Sequence, residues 1–217
     1  MPSNRWLIEG TLETLSNLRI GNGDITSRDE LKYEDADGWE NVKISAFITD
    51  AQDAAYIPGT TLKGKLRYLA DNLGIPTLEQ IFGSPDPEKE GAVGGKVSFF
   101  DARTHMEDFV LSDEQTGQLA HWDASRKTGV SAGVTISRKT RTASDKRLFH
   151  QEFVPKGVIF KVRIAGVDMS DEEVQDLLFV LEGLNRTPVG ASTGDGWGKL
   201  RWTPTVMKSL DETGLRN

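Results

Sequence analysis

Two stretches of the sequence carry apolar residues at helical spacing. The first pattern follows Pro58-Gly59-Thr60-Thr61 and stops before Gly74, and its apolar members are Leu62, Leu66, Leu69 and Leu73. These positions predict an amphipathic helix over about 59–73, with Thr60 or Thr61 as its N-cap. In the second stretch, a capping box of Ser170 and Glu173 precedes Val174, Leu177, Leu178, Leu181 and Leu184, which predicts another helix.

Shorter apolar runs predict the strands, at residues 5–15, 96–102, 149–154, 157–166 and 199–203. Pro155-Lys156-Gly157 lies between the third run and the fourth, and this turn chemistry predicts a hairpin. The elements follow one another as strand, helix, strand, excursion, two strands, helix and strand. That order predicts an α+β fold with a ferredoxin-like, RRM-like β-α-β-β-α-β core, the sheet on which RNA-recognition domains are built.

Two insertions interrupt this core. Residues 19–57 are acidic and have no sustained period, so they predict a long loop. Residues 119–147 are basic and place Val130, Val134 and Ile136 among Ser, Thr and Gly, which predicts a β-hairpin that projects from the core. The core itself covers about 5–18, 59–73, 95–102 and 148–203, and we expect residues 1–217 to form a single domain.

Composition changes this picture mainly through charge. The 217 residues carry a formal net charge of −7, which alone argues against a general polyanion binder. However, residues 19–60 hold nine acids and four bases, whereas residues 119–150 hold seven bases and two acids. Such segregation favours a nucleic-acid surface. The sequence has no cysteine, no membrane-spanning apolar run and no signal-peptide pattern, so we expect a cytoplasmic protein without a membrane partner.

The start of the first helix is a candidate phosphate site. The spacing Gly59-x-x-x-x-Gly64-Lys65 resembles a Walker A loop, but Leu66 stands where a magnesium-binding Ser or Thr is needed, which argues against an NTPase. Backbone amides at a helix N-terminus bind phosphate, and here the amides of Thr60 and Thr61 are flanked by Lys63, Lys65 and Arg67. The alternative is an ordinary solvated basic face.

A second candidate is the glycine-rich stretch at residues 190–199, where Ser192 and Thr193 add hydroxyl donors for phosphate. A turn between helix and strand also explains this stretch. Catalytic patterns are few, since the three histidines are far apart and lack metal-ligand spacing. The acids of the first insertion are candidate Mg²⁺ ligands, although runs of acids are usually just solvated.

Four motifs are informative in combination. They are Ile20-Gly21-x-Gly23, then Tyr56-Ile-Pro-Gly-Thr-Thr-Leu-Lys-Gly-Lys-Leu-Arg67, then Ser137-Arg-Lys-Thr-Arg-Thr-Ala143 with Leu148-Phe-His-Gln-Glu-Phe-Val154, and Gly190-Ala-Ser-Thr-Gly-Asp-Gly-Trp-Gly-Lys-Leu200. In this order they resemble the RAMP proteins of type III CRISPR effector complexes. Size and motif order are most similar to the repeated backbone subunit that lines the guide RNA.

The resemblance implies a single RAMP domain that holds guide RNA through its phosphates and passes a thumb-like hairpin through the duplex of guide and target RNA. It also implies partners: copies of the chain or other RAMP subunits, stacked head to tail, and further effector subunits. Opposite charges on the acidic and basic insertions suit docking between neighbours. The RNA-binding residues implied are Arg19, Thr60, Thr61, Lys63, Lys65, Arg67, Arg126, Lys127, Arg138, Lys139, Arg141, Ser192, Gly194, Gly196 and Lys199.

Target cleavage in this family depends on a loop Asp and a divalent cation, Mg²⁺ or Mn²⁺. Matching residues 47–50 to the family pattern places Ile44 at the position of that acid. Asp35 or Asp37 of the long acidic insertion could take its place, or the subunit could bind target RNA without cutting it. Two alternatives stay open: a guide-processing endoribonuclease that uses His150 as an acid–base group, and a RAMP subunit that caps the end of the complex.

Overall fold

The computed structural model describes residues 4–35, 38–86, 88, 90–104, 111–136 and 143–210. These residues form four α-helices: α1 (Gly59–Asn72), α2 (Leu78–Phe82), α3 (Asp113–Gly117) and α4 (Asp171–Glu182). They also form twelve strands: β1 (Arg5–Thr14), β2 (Gly21–Thr26), β3 (Lys32–Asp35), β4 (Gly38–Asn41), β5 (Ile44–Phe47), β6 (Tyr56–Ile57), β7 (Val97–Phe99), β8 (Ala102–Arg103), β9 (Gly129–Ile136), β10 (Ala143–Phe153), β11 (Ile159–Val167) and β12 (Leu200–Leu210). The predicted α+β class is confirmed.

The main sheet has the strand order β12-β1-β11-β8-β6, and β7 also pairs with β11. Every pairing in it is antiparallel. Along β1, Ile8 and Leu12 alternate with half-exposed residues, so one face of the sheet is buried. The helices α1 and α4 cover that face and contribute their apolar stripes to a single core, with members such as Leu66 and Leu177.

A second sheet has the order β2-β5-β10-β9, and β3 and β4 form a separate two-stranded ribbon. In the second sheet, β10 runs antiparallel to β9 and parallel to β5. The strands β9 and β10 therefore form a hairpin, and its connection at residues 137–142 lies outside the described part of the chain. The strand β9 lies within the insertion for which the sequence predicts a hairpin, but most of the paired part of β10, Leu148–Phe153, was predicted to belong to the core and lies instead in the second sheet.

Two predictions about the connections are wrong. The expected loop at residues 19–57 contains the strands β2 to β5 and the short strand β6, because exposed strands such as β2 carry no apolar alternation to announce them. The runs on either side of Pro155-Lys156-Gly157 belong to different sheets and form no hairpin. Instead the chain crosses between sheets beside Thr14, whose hydroxyl donates to the Pro155 carbonyl at 2.7 Å and accepts from the Val158 amide at 2.9 Å.

The helix predictions are confirmed, with one change at an N-terminus. The helix α1 begins at Gly59 with Pro58 as its N-cap, so Thr60 and Thr61 lie inside its first turn. In α4, the Ser170 hydroxyl accepts from the Glu173 amide at 3.2 Å and the Glu173 carboxylate accepts from the Ser170 amide at 2.8 Å, as a capping box requires. No helix within the described ranges is long and apolar enough to cross a membrane.

Candidate nucleic-acid interface

The N-terminus of α1 packs against the end of β7. A Cβ at Gly59 would overlap the carbonyl oxygen of Phe99, so only glycine fits this crossing. The Gly59 amide donates to the Asp101 carboxylate at 2.9 Å. Of the two amides predicted to bind phosphate, that of Thr61 donates instead to the Pro58 carbonyl at 2.9 Å, while Thr60 is exposed. In the first turn of α1 only Thr60 is exposed, and it follows the residue whose amide is bound by the Asp101 carboxylate.

The three cations of α1 do not converge on one patch. Lys63 and Arg67 follow Thr60 at helical spacing and share its flank, whereas Lys65 lies on the opposite flank beside Tyr68. The Lys65 ammonium is 5.5 Å from the centre of the Tyr68 ring, and the Arg67 guanidinium donates to the carbonyl of Gly83. The prediction that these residues bind RNA therefore concerns two separate flanks of α1.

Gly64 lies exposed in the middle of α1. A glycine there costs about 1 kcal/mol of stability relative to alanine. A Cβ at this position would meet no described atom within 4 Å, and the backbone has ordinary helical geometry. Packing among the described residues thus gives no reason for glycine at this position.

The glycine-rich loop is fixed at both ends on the segment that follows β1. The Ala191 amide donates to the Arg19 carbonyl at 2.8 Å, and the Gly198 amide donates to the Asn17 carbonyl at 2.7 Å. Gly190 has a φ of +86°, and a Cβ there would overlap the Arg19 carbonyl oxygen. Leu18 in the same segment exchanges backbone hydrogen bonds of 2.8 and 2.9 Å with Val154. The motif that follows β1 and the glycine-rich motif therefore lie together.

The middle of the loop faces outward. Gly194 and Gly196 are exposed, and a Cβ at either would meet nothing within 4 Å. Gly196 needs glycine for its φ of +86°, whereas Gly194 has no positive φ and no such need. Ser192 adopts a φ of +57°, and Lys199 is exposed. The amides of residues 195–197 donate to carbonyls within the loop, so the loop presents exposed glycine surface and not a row of free amides.

The Arg19 guanidinium lies partly buried below this region. Its Nη1 is buried without a hydrogen-bond partner in the described structure. Burial lowers the pKa of Arg19 and the charge of Glu152 partly offsets that effect, yet a guanidinium stays protonated in proteins. Arg19 therefore holds a buried unused donor beside Gly21, while its backbone carbonyl accepts from the loop.

Arg126 and Lys127, both predicted RNA-binding residues, lie within a network of ion pairs around Glu152. The Glu152 side chain is 1% exposed and accepts from Arg126 at 3.1 and 3.0 Å and from Arg28 at 2.8 Å. Arg126 also contacts Asp53, and hydrogen bonds to the two acids raise its pKa although burial lowers it. Lys127 is buried, which lowers its pKa. Little of either side chain is available at the surface, and their role in RNA binding stays a prediction.

The other predicted residues are described only in part. Arg138, Lys139, Arg141 and Asp37 lie outside the described residues, and Asp35 is described only as the last residue of β3. Ile44 is fully buried in β5, where it pairs with His150 of β10. Among the residues that the structure describes, no group of three His, Asp or Glu side chains lies close enough together to hold a metal ion. The proposed catalytic acids stay untested predictions.

Two residues of this region were missed by sequence reasoning. Asp101 contacts the start of α1 from 42 positions away, and no local pattern announces such a tertiary contact. Gly64 could have been identified from the sequence, because a glycine inside a helical pattern is destabilising and usually has a packing or functional role. In the sequence, Gly64 was noted as part of a Walker-like spacing and of a family-like motif, and not for its place inside a helix.

Comparison with solved structures gives two likenesses of fold. The chain shares 17% identity and a TM-score of 0.61 with a chain from a cryo-EM structure of the type III-B Cmr-beta complex bound to cognate target RNA, covering 96% of this chain and 61% of that chain. A chain from the apo state of Cmr-beta gives 14% identity and a TM-score of 0.61, with coverage of 91% and 97%. The protein thus spans about three fifths of the first relative. No curated protein sequence gives a significant match.

A family-level comparison is more specific than these likenesses. The sequence matches the family model for the RAMP superfamily over residues 11–201. The match begins in β1, includes the start of α1 and the glycine-rich loop, and ends in β12. Because it covers most of the chain, the protein belongs to the RAMP superfamily.

Proposed function

We propose that this protein is a guide-RNA-binding backbone subunit of a type III CRISPR effector complex, in which it contacts guide RNA, target RNA and neighbouring effector subunits. Membership of the RAMP superfamily supports this function, as does the likeness of fold to chains of type III-B Cmr-beta. The observation that carries the proposal is the pair Gly64 and Gly194. Both are exposed, both belong to the family-like motifs, and neither is explained by contacts within the described chain.

The architecture proposed for this function is a ferredoxin-like core within a single domain over residues 1–217. The order β12-β1-β11-β8 supports it, because α1 lies between β1 and β8 in the chain and α4 lies between β11 and β12. The hairpin of β9 and β10 is the proposed thumb, and the basic residues of its connection come from the sequence alone. Head-to-tail contacts between such subunits do not close and therefore generate a filament.

Binding of this kind needs no base-specific contacts. The exposed residues Thr60 and Gly194 allow an RNA backbone to approach closely, and the exposed Lys199 supplies positive charge beside the loop. The guide reads the target by base pairing, so the protein needs to recognise only backbone and shape. Affinity should therefore be independent of guide sequence and should fall steeply with salt.

The test of this proposal is RNA affinity measured by fluorescence anisotropy with a labelled single-stranded RNA and the full chain. Gly194→Leu should raise Kd about tenfold, since an added side chain on a tightly contacted backbone costs about 1–3 kcal/mol. Gly94→Leu is the matched control, because Gly94 is also exposed, has no positive φ and has open space around its Cβ. Equal affinity of the two variants would contradict a role for the loop in RNA binding.

Target cleavage is a separate part of the proposal. With Ile44 buried at the family's acid position, a cleaving subunit would use Asp35 or Asp37 with Mg²⁺ or Mn²⁺. The guide-loaded assembly should then cut complementary RNA at regular spacing, and Asp35→Ala or Asp37→Ala should abolish the cuts without loss of binding. Intact target in the presence of either metal would instead identify a subunit that binds without cutting.

A further inference from the structure

The face of the main sheet opposite the helices carries an open groove of about 460 Å³. It crosses β1, β11, β12 and the residues next to β8. Its lining includes three cationic side chains, Arg103, Lys161 and Arg163, and two carboxylates, Glu9 and Asp101. Asp50 pairs with Arg103, so three carboxylates match the three cations, and binding of an anion would depend on the exposed donors that the arginines keep.

An exposed aromatic ring lies in the same groove. Phe100 is 49% exposed, and its amide donates to the Arg163 carbonyl at 3.1 Å, so the ring lies next to that strand position. Tyr56 lies nearby in register, paired with Arg103, whose guanidinium is 5.6 Å from the Tyr56 ring centre. Exposed rings beside cations on an open sheet are the combination with which proteins stack and hold single-stranded nucleic acid.

The arginines are held in place by acids on the same face. Arg163 donates to the Glu9 carboxylate at 2.9 Å, and Arg103 donates to the Asp50 carboxylate at 2.6 Å. Yet Arg163 and Arg103 keep 60% and 50% of their side chains exposed. Their exposed donors can thus contact an incoming phosphate while the acids fix the direction of each guanidinium.

The groove is continuous with the start of α1. Asp101 lines the groove and also accepts the hydrogen bond from the Gly59 amide. A strand of RNA whose phosphates contact the first turn of α1 would therefore lie at the groove's edge.

We propose that the groove binds a single-stranded segment of RNA, with a base stacked on Phe100 and phosphates near Arg163 and Lys161. The proposal rests on the proposed function, because that function brings RNA to the start of α1. It adds a second segment to the RNA path, separate from the glycine-rich loop.

The chain offers matched controls for a test. Phe179 is also an exposed phenylalanine, with 60% of its surface accessible, but it lies on the helix α4 and not in the groove. Arg201 is 57% exposed and paired with Glu13 at 2.9 Å, much as Arg163 is paired with Glu9, yet it does not line the groove. Comparing Phe100→Ala with Phe179→Ala, and Arg163→Ala with Arg201→Ala, isolates position from residue type.

Each variant would be titrated with a fluorescein-labelled 12-nucleotide single-stranded RNA, and a 4-thiouridine version would be crosslinked and mapped by mass spectrometry. Phe100→Ala should raise Kd at least about fivefold, the loss expected for one stacked base. Phe179→Ala and Arg201→Ala should leave Kd unchanged, and wild-type crosslinks should map to the peptide that contains Phe100.

Three results would overturn the proposal. If both groove variants bind RNA as their controls do, while Gly194→Leu still weakens binding, the groove is no part of the RNA path and the proposed function stands. If the wild type binds no RNA, the proposed function itself fails. If β11 becomes protected from hydrogen exchange as protein concentration rises without RNA, a protein covers this face instead.

Discussion

Replacing Gly64 by alanine should stabilise the protein and weaken its binding to RNA. The site is exposed and helical, and a Cβ there has open space for 4 Å among the described atoms. Alanine should therefore add about 0.5–1 kcal/mol to the free energy of unfolding. For a chain of this length that corresponds to a rise in Tm of about 2–3 °C. A ligand backbone in close contact at Gly64 would lose affinity by about tenfold, and Gly64→Leu should weaken binding further.

Two measurements on the same samples decide the matter: thermal unfolding followed by circular dichroism, and RNA titration by anisotropy. Gly94→Ala serves as the control, because Gly94 is exposed with equal space but lies outside any helix. A variant that is more stable and binds RNA as tightly as the wild type would refute the inference that Gly64 exists for a ligand. A less stable variant would refute the assignment of open space around this residue.

Two further predictions concern the ion pairs around Glu152. Glu152→Gln should lower the free energy of unfolding by about 3–5 kcal/mol in urea titrations, because it leaves the nearly buried Arg28 and Arg126 without their shared carboxylate. The control Glu13→Gln removes an exposed ion pair and should lower it by less than about 1 kcal/mol. Equal losses in the two variants would contradict this prediction. Burial raises the pKa of Asp123, but hydrogen bonds from Ser125 and Arg126 outweigh that effect and hold the pKa below its usual value. The folded protein should thus lose stability as pH falls through that lowered pKa, and Asp123→Asn should flatten this acid limb in a pH series of unfolding curves.

The helices and the main-sheet strands could be predicted because their apolar residues follow the periods of the elements. Ile8 and Leu12 alternate along β1, and Leu62 and Leu66 repeat along α1, since one side of each element packs into the core. Exposed strands obey no such rule. Every residue of β2 except Thr26 is exposed, so the sequence carried no signal that distinguished this strand from a loop.

The sequence predicted those parts of the candidate site where the backbone conformation permits only certain residue types. The glycines of the loop were identified because positive φ and close crossings exclude other residues, as at Gly190. Side-chain contacts between distant segments were not predictable. Arg126 looked like a free cation in a basic segment, but folding places it against Glu152, and Asp101 meets the start of α1 only through tertiary packing.

The short segment of residues 14–20 has a consequence for how the molecule responds to load. On one side Thr14 and Leu18 are hydrogen-bonded to the chain that leaves β10, and on the other side Asn17 and Arg19 are bonded to the glycine-rich loop. The base of the hairpin and the base of the loop thus share one support. A force that tilts the hairpin would therefore be transmitted to the loop, and by thermodynamic reciprocity a ligand on the loop would alter the energy of tilting the hairpin to the same extent.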